Sequence, residues 1–192
     1  MKKVWVILLL ACIAFITIAS AAAEESYVFY VYKDDMSGEN NYLDIAYMGG
    51  ENNGNDGSMS IDKRCPDDPV SGKSCMKLTY SPKDSSHWAG MLWLSGDKNF
   101  PPNPPVKGVD TSQAKRLTFW AKGNGAANFF IEDGKGNKSL EYVELTDDWE
   151  QYTLIVPEGW DMICVGFGWA SNYDDADEAT MTFYLDEIRF EG

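Results

Sequence analysis

The chain closes on "TMTFYLDEIRFEG", residues 180–192, and the reading of this stretch decides the fold. Met181, Phe183 and Leu185 alternate along one side of a period-two strand, whereas Ile188 and Phe190 fall on the opposite parity. Asp186 and Glu187 stand at the change. Successive strand residues point to opposite faces, so a switch of parity within one apolar strand calls for an extra residue, which is what a β-bulge inserts. The stretch therefore predicts a strand with one buried face and a bulge at two acids.

Outward from this strand the pattern is the same in kind. Strand signals recur at 26–32, 57–62, 74–81, 87–94, 115–123, 127–133, 139–145, 150–157 and 162–170, and no segment sustains a helical period. Gly, Pro, Asn and Asp punctuate the gaps, as in "GGENNGNDG", "DGKGN" and "PEGWD". Many short strands with such turns predict an all-β fold, a two-sheet antiparallel β-sandwich or jelly roll. Alternation in "RLTFWAKG" assigns Leu117, Phe119 and Ala121 to the core and turns Thr118, Trp120 and Lys122 outward. In "HWAGMLWL" parity separates Trp88 from Trp93, so at most one of them is core. The prolines of "NFPPNPPVKG" read as a stiff crossing between sheets rather than as a proline-rich ligand.

The chain begins with Lys2 and Lys3, an apolar run from Val4 to Ala19 and then small residues, the form of a secretory signal over residues 1–23. A membrane anchor, or a lipoprotein site at the "LLAC" ending on Cys12, is the alternative reading. Residues 24–192 then form a single domain, secreted or held at the cell surface, with no stable span after cleavage. Losing residues 1–23 removes two lysines and no acid, which leaves 14 basic and 30 acidic residues. Such a balance excludes nucleic acid as a partner, because phosphate binding needs a basic face. Six of the seven tryptophans remain, which argues for a packed core rather than an acidic disordered chain. In an oxidising compartment Cys65 and Cys75, at the ends of the Pro/Gly loop "CPDDPVSGKSC", are expected to pair as a disulfide. Cys164, in "MICVGFGWA", reads as a small buried residue.

Several phrases in order, "GKSCMKLTYSPKDSSHWAGMLWL", "VDTSQAKRLTFWAKGNGAANFFIED", "LTDDWEQYTLIVP", "VGFGWAS" and "TFYLDEIRFE", resemble the galactose-binding-like jelly rolls that serve as non-catalytic carbohydrate-binding modules. The resemblance implies two antiparallel sheets and a structural calcium held by an aspartate of the last strand, here Asp186. It also implies further oxygen ligands from the early chain, for which Asp34, Asp35 and Glu39 of "YKDDMSGEN" are the candidates. Calcium takes six to eight oxygens, carboxylates and main-chain carbonyls together. The loops "GENNGNDGS" and "NYDDADEAT" lack the spaced calcium-loop pattern and read as solvated.

A sugar presents flat C–H faces edged with hydroxyls, so its site pairs an aromatic plane with hydrogen-bonding side chains. The candidate platforms are Trp88, Trp93, Trp120, Trp160, Trp169 and Tyr173, with His87, Asn128, Glu132, Asn172 and Asp174 as polar partners. Trp149, which opens a strand after "LTDD", reads as structural. The implied ligand is a polysaccharide or glycan, on the sheet face or at the loop edge. Two other classes compete. A glycosidase needs two carboxyl groups flanking the scissile bond, and Glu132 with Glu141 or Glu144 is the pair the sequence offers. A surface protein would instead use sheet edges or aromatic patches for self-association or a protein partner.

Overall fold

The computed structural model describes residues 27–34, 44–49, 58–95, 108–177 and 179–192. These form strands β1 (Val28–Tyr32), β2 (Asp44–Gly49), β3 (Met59–Cys65), β4 (Cys75–Tyr80), β5 (Trp88–Leu94) and β6 (Val109–Asp110), followed by β7 (Arg116–Gly123), β8 (Ala126–Asp133), β9 (Lys138–Glu144), β10 (Glu150–Ile155), β11 (Met162–Asn172) and β12 (Met181–Glu191). One sheet runs β10-β7-β12-β4-β3 with β1 also on β12, and the other runs β2-β5-β11-β8-β9 with β6 also on β11. All pairings are antiparallel, and the two sheets stack as the all-β jelly-roll sandwich that the alternation required. Neither β2 nor β6 stood out in the sequence, the first a short "DIAYMG" between polar loops and the second only two residues long. The secretory signal and the proline crossing lie outside the described residues. Among the described residues no helix is long and apolar enough to cross a membrane.

The terminal strand behaves as its parity demanded. Met181, Phe183, Leu185, Ile188 and Phe190 are all fully buried, and the register between β12 and β7 shifts between Asp186 and Arg189. Glu187 carries a left-handed φ of 49° at the shift. One edge of β12 pairs with β7 throughout, whereas its other edge pairs with β4 up to Leu185 and with β1 from Ile188 onward. The bulge thus seats two partner strands end to end along one strand.

Between the sheets lies an aromatic lattice. Phe119 of β7 meets Phe129 of β8 at 4.7 Å and Phe167 of β11 at 5.0 Å between ring centroids, and Phe167 meets Trp93 at 5.4 Å. Trp169 stands edge-on to Phe183 at 5.0 Å. The outward set Thr118, Trp120, Lys122 is as expected, although Thr118 is itself largely covered. Cys164 is buried, and burial pushes its thiol up to about 11. Cys65 and Cys75 are opposed in register on β3 and β4, but in the structure both are thiols rather than the expected bridge. The Cys75 thiol points instead at the carbonyls of Cys65 (3.6 Å) and Asp67 (3.5 Å). Phe167 touches both sheets through three rings, so Phe167→Ala is expected to lower the unfolding free energy by about 3–5 kcal/mol in denaturant titration. A loss below about 1 kcal/mol would contradict the packing described.

Candidate functional site

The site follows from the outer face of the sheet that contains β5, β11, β8 and β9. Ala89, Met91 and Trp93 of β5 face the core, so Trp88, Gly90, Leu92 and Leu94 face outward. On β11, Phe167 and Trp169 face in and Gly168, Ala170 and Asn172 face out. On β9, Val143 packs inward, which turns Leu140 and Tyr142 to the outer face. Cross-strand register then sets the rows. Gly90, Ala170, Asn128 and Tyr142 lie side by side across four strands, with Trp88 opposite Asn172 in the adjoining row. Leu92, Gly168, Phe130 and Leu140 form the next row on the other side.

This face has a closed half and an open half. Leu92, Leu94, Phe130 and Val165 form a buried apolar cluster, with Glu132 buried beside them. Toward the other end Trp88 is 41% exposed and Tyr142 52% exposed. Three strand spacings, about 14–15 Å, separate β5 from β9, and the step to the adjoining row adds about 7 Å along the strands, so the two residues stand about 16 Å apart across the sheet. Gly90 and Ala170 leave the floor between them low, and the Asn128 and Asn172 amides border it. The result is a shallow groove with an aromatic plane on either side and hydrogen-bonding groups in its bed. Its far wall is fixed by a turn: Tyr142 donates its hydroxyl hydrogen to Asp175 Oδ1 (3.1 Å), and Asp175 Oδ2 accepts the Asn172 N–H (2.8 Å). Asn172 Oδ1 accepts the Asp175 N–H in return (3.0 Å), which locks the asparagine in place.

The candidate platforms separate on this geometry. Trp93 and Trp169 have no exposed surface, so both are corrected from platforms to core: parity places them between the sheets. Trp120 is half-buried on the outer face of the opposite sheet, beside Gln151 and Asp186. Trp160 lies in the β10–β11 turn, at the opposite end of β11 from the groove. Tyr173, half-buried, and Asp174, exposed, follow β11 directly and border the groove's end. His87 is corrected from an open polar partner to a packed one, stacked on Tyr80 with Nδ1 3.1 Å from the phenol oxygen. Trp149 is structural as expected, its indole N–H donated to the Asp68 carbonyl (2.8 Å). Tyr142 and Leu140 were missed, because "SLEYVEL" is apolar on both parities and its more apolar set proved to be the outward one.

The glycosidase pair fails on distance and direction. Glu132 and Glu144 share a face, but Glu132 is opposite Lys138, six residues along β9 from Glu144. At about 3.4 Å per residue that is about 20 Å, against the roughly 5–9.5 Å between catalytic carboxyl groups. Glu141 has the opposite parity on β9 and points away from the Glu132 face.

Asp186 is fully buried at the bulge. Its Oδ2 accepts the N–H groups of Val70 (2.8 Å) and Ser71 (3.3 Å), and its Oδ1 accepts that of Glu187 (2.8 Å). Burial pushes its pKa up to about 6 against the pull of those three bonds. Asp34 holds the same loop from the other side, its Oδ1 accepting the N–H groups of Lys73 and Ser74. A Cβ at Gly72, which has a φ of 65°, would overlap the Asp34 carboxylate, so the loop requires glycine there. Two carboxylates on one loop are hard oxygen donors of the kind calcium takes. Among the described residues no group of three or more such side chains gathers, so a full shell would draw on main-chain carbonyls and on the segment holding Asp35 and Glu39, which lies outside the described residues.

The described chain thus has a jelly-roll fold of the kind seen in carbohydrate-binding modules. It is similar to a variant of a carbohydrate binding module of family 29, with a TM-score of 0.50 and 12% identity over 86% of this chain and 92% of that one. It is equally similar to a CBM29-2 variant complexed with mannohexaose, again at a TM-score of 0.50 and 12% identity over 86% and 92% of the two chains. A family 11 module of a cellulosomal cellulase of Clostridium thermocellum aligns at 0.48 and 17% identity over 82% and 91%. At these identities the likeness is one of fold. No protein-family profile matches the sequence, and no curated protein does.

Two predictions come from this site. Asp186→Ala strands three N–H groups, that of Glu187 buried and those of Val70 and Ser71 partly buried, and is expected to cost about 3 kcal/mol of stability; a neutral effect in denaturant titration would show that the loop is held otherwise. Glu132 is raised by burial, against the opposing pull of Lys138 at 3.6 Å. A raised carboxylate costs stability while it is charged in the fold, and the cost fades as pH falls through its folded pKa. Glu132→Gln is therefore expected to stabilise the protein at neutral pH by an increment that shrinks in acid. Melting curves at several pH values check this, and an increment that grows in acid contradicts it.

Proposed function

We propose that this protein is an exported, non-catalytic carbohydrate-binding module that holds a polysaccharide in the groove between Trp88 and Tyr142. One observation carries the reading: two exposed aromatic planes flank a floor of small residues with amides in its bed. Stacking on C–H faces and hydrogen bonding to hydroxyls are what that surface offers. The family 29 structure with mannohexaose has the same fold, which supports a saccharide as the ligand class. With a formal charge of −14 the chain repels anionic polymers, so the ligand is a neutral glycan.

Calcium at Asp186, with Asp34, Asp35 and Glu39 as further ligands, is part of the same proposal. A divalent ion there would neutralise a buried carboxylate and clamp the loop from Cys65 to Cys75, and export would allow that loop to be closed by a disulfide. Melting temperature is then expected to rise with added calcium and fall with chelator, and Asp186→Ala is expected to remove that dependence. A chelator-insensitive melt overturns the calcium part alone.

The groove is tested by affinity electrophoresis in gels containing neutral polysaccharides. Trp88→Ala and Tyr142→Ala are each expected to weaken binding at least about tenfold, the loss of one stacked ring, with the melting temperature nearly unchanged because both rings are exposed. Retention is expected to be almost independent of salt. Full retention by the double variant overturns the groove, and absence of retention on every glycan together with self-association by light scattering favours the assembly reading.

A further inference from the structure

At the end of the sandwich away from the groove, Pro157 to Trp160 form a turn between β10 and β11. The Trp160 N–H is donated to the Pro157 carbonyl (3.1 Å), and Gly159 has a φ of 82°, the positive value that the third position of a type II turn requires. A Cβ on Gly159 would meet nothing within 4 Å, so the glycine is set by the backbone and leaves the neighbourhood of the indole open. Trp160 is half-buried and packs against the core, which holds the ring at the rim.

A hollow opens on each side of this tryptophan. One of about 270 Å³ is lined by Ser112, Lys115, Glu158 and Asp161, and one of about 350 Å³ by Asp133, Lys135, Asp161 and Met162, with Gly159 and Trp160 common to both. Both volumes are close to the lower limit, roughly 300 Å³, of small-ligand sites. Asp133 is used up in its own turn, accepting the N–H groups of Lys135 (2.8 Å) and Asn137 (2.9 Å) and the Asn137 amide (2.8 Å). Lys115, Lys135, Glu158 and Asp161 are exposed, and among the described residues none of these four side chains enters an ion pair or a hydrogen bond.

We infer that the ridge at Trp160 is a second binding site, for one or two rings of an uncharged saccharide. With Asp133 the two hollows carry three carboxylates against two ammonium groups, which disfavours an anion while leaving both donors and acceptors in reach. A ligand whose every hydroxyl both donates and accepts uses both kinds of group, and its C–H face covers the exposed indole. The ligand class rests on the reading of the groove, whereas the location does not. Two sites at opposite ends of one sheet let a single polymer bind twice, so avidity on a polysaccharide exceeds the affinity of either site.

The test uses isotope-labelled protein, whose Trp88 and Trp160 indole N–H resonances report the two sites separately. Titration with mannohexaose and with cellohexaose is expected to shift both, the Trp160 signal at higher ligand concentration. Because Trp160 is partly core, the site is probed by Lys135→Ala/Glu158→Ala rather than by removing the ring. That double variant is expected to weaken the Trp160 response about tenfold, leave the Trp88 response unchanged and reduce retention on polysaccharide gels. In Trp88→Ala/Tyr142→Ala the Trp160 shift is expected to persist. A Trp160 resonance that neither saccharide moves overturns this inference whatever Trp88 does. A Trp88 resonance that stays still while Trp160 shifts overturns the groove and leaves this site standing.

Discussion

A single buried carboxylate organises the sheet that closes the molecule. Asp186 has no exposed surface, yet its three main-chain hydrogen bonds run to two places at once: to the bulge it belongs to and to the loop between β3 and β4. Burying a charged carboxylate costs several kcal/mol unless its lone pairs are met, and its raised pKa reflects burial outweighing the bonds. Asp186 keeps the outward parity opposite Trp120, and it is the loop carrying Val70 and Ser71 that covers its carboxylate. The extra residue of the bulge resets parity, so that Ile188 and Phe190 return to the core beside Leu117 and Phe119. Without the bulge, strict alternation from Leu185 would turn Ile188 and Phe190 outward and Arg189 inside. The acids and cations beyond it follow from the same reset, with Arg189 reaching Glu187 (2.9 Å) and Glu191 (2.8 Å), and Arg116 reaching Glu191 (2.7 Å), so that β1, β12 and β7 are tied across one face.

This arrangement decides which sheet is left for a ligand. On the outer face next to Asp186, Trp149 and Tyr184 already have partners. Lys122 Nζ lies 4.9 Å from the Trp149 ring centre and 5.3 Å from that of Tyr184, and it bonds Asp68 at 2.7 Å. Lys77 Nζ lies 5.5 Å from Tyr184. A cation over an aromatic face occupies the surface a sugar would stack on, and the loop that supplies Asp68 lies against the same residues. Across the sandwich, Trp88 has no ring or cation on it among the described residues, and Tyr142 is held only through its hydroxyl. Trp149 and Tyr184 serve the structure of one sheet, whereas Trp88 and Tyr142 leave their faces open on the other.

Period two was enough to identify the strands, the sandwich and the terminal bulge, because each depends on which side of a strand is apolar. It was enough to separate Trp88 from Trp93 and to turn Trp120 outward. It was not enough to choose between sheets, since Trp120 and Trp88 look alike in the sequence and differ only in what the other strands bring beside them. Tyr142 escaped for a related reason. β9 is an edge strand whose inward set is carried by Val143 alone, so the apolar parity pointed the wrong way. Trp169 was misread because β11 has shifted registers on both flanks, and a strand with irregular partners does not announce where its loop begins. The short β2 and β6 carry too little sequence to alternate visibly, and their place is set by β5 and β11.

On the proposed reading of the groove, the acidic surface gains a role. Thirty acids against sixteen bases would scatter any anionic polymer, but a neutral glycan carries no charge for that field to act on. Selectivity against charged polymers then needs no residue inside the groove, and the groove can be built from uncharged groups alone: an indole, a phenol and two amides. Such contacts are indifferent to ionic strength, since screening acts only between charges. The rings and amides that would meet the ligand are themselves uncharged, so their contacts with a neutral chain do not depend on the acidic surface around them.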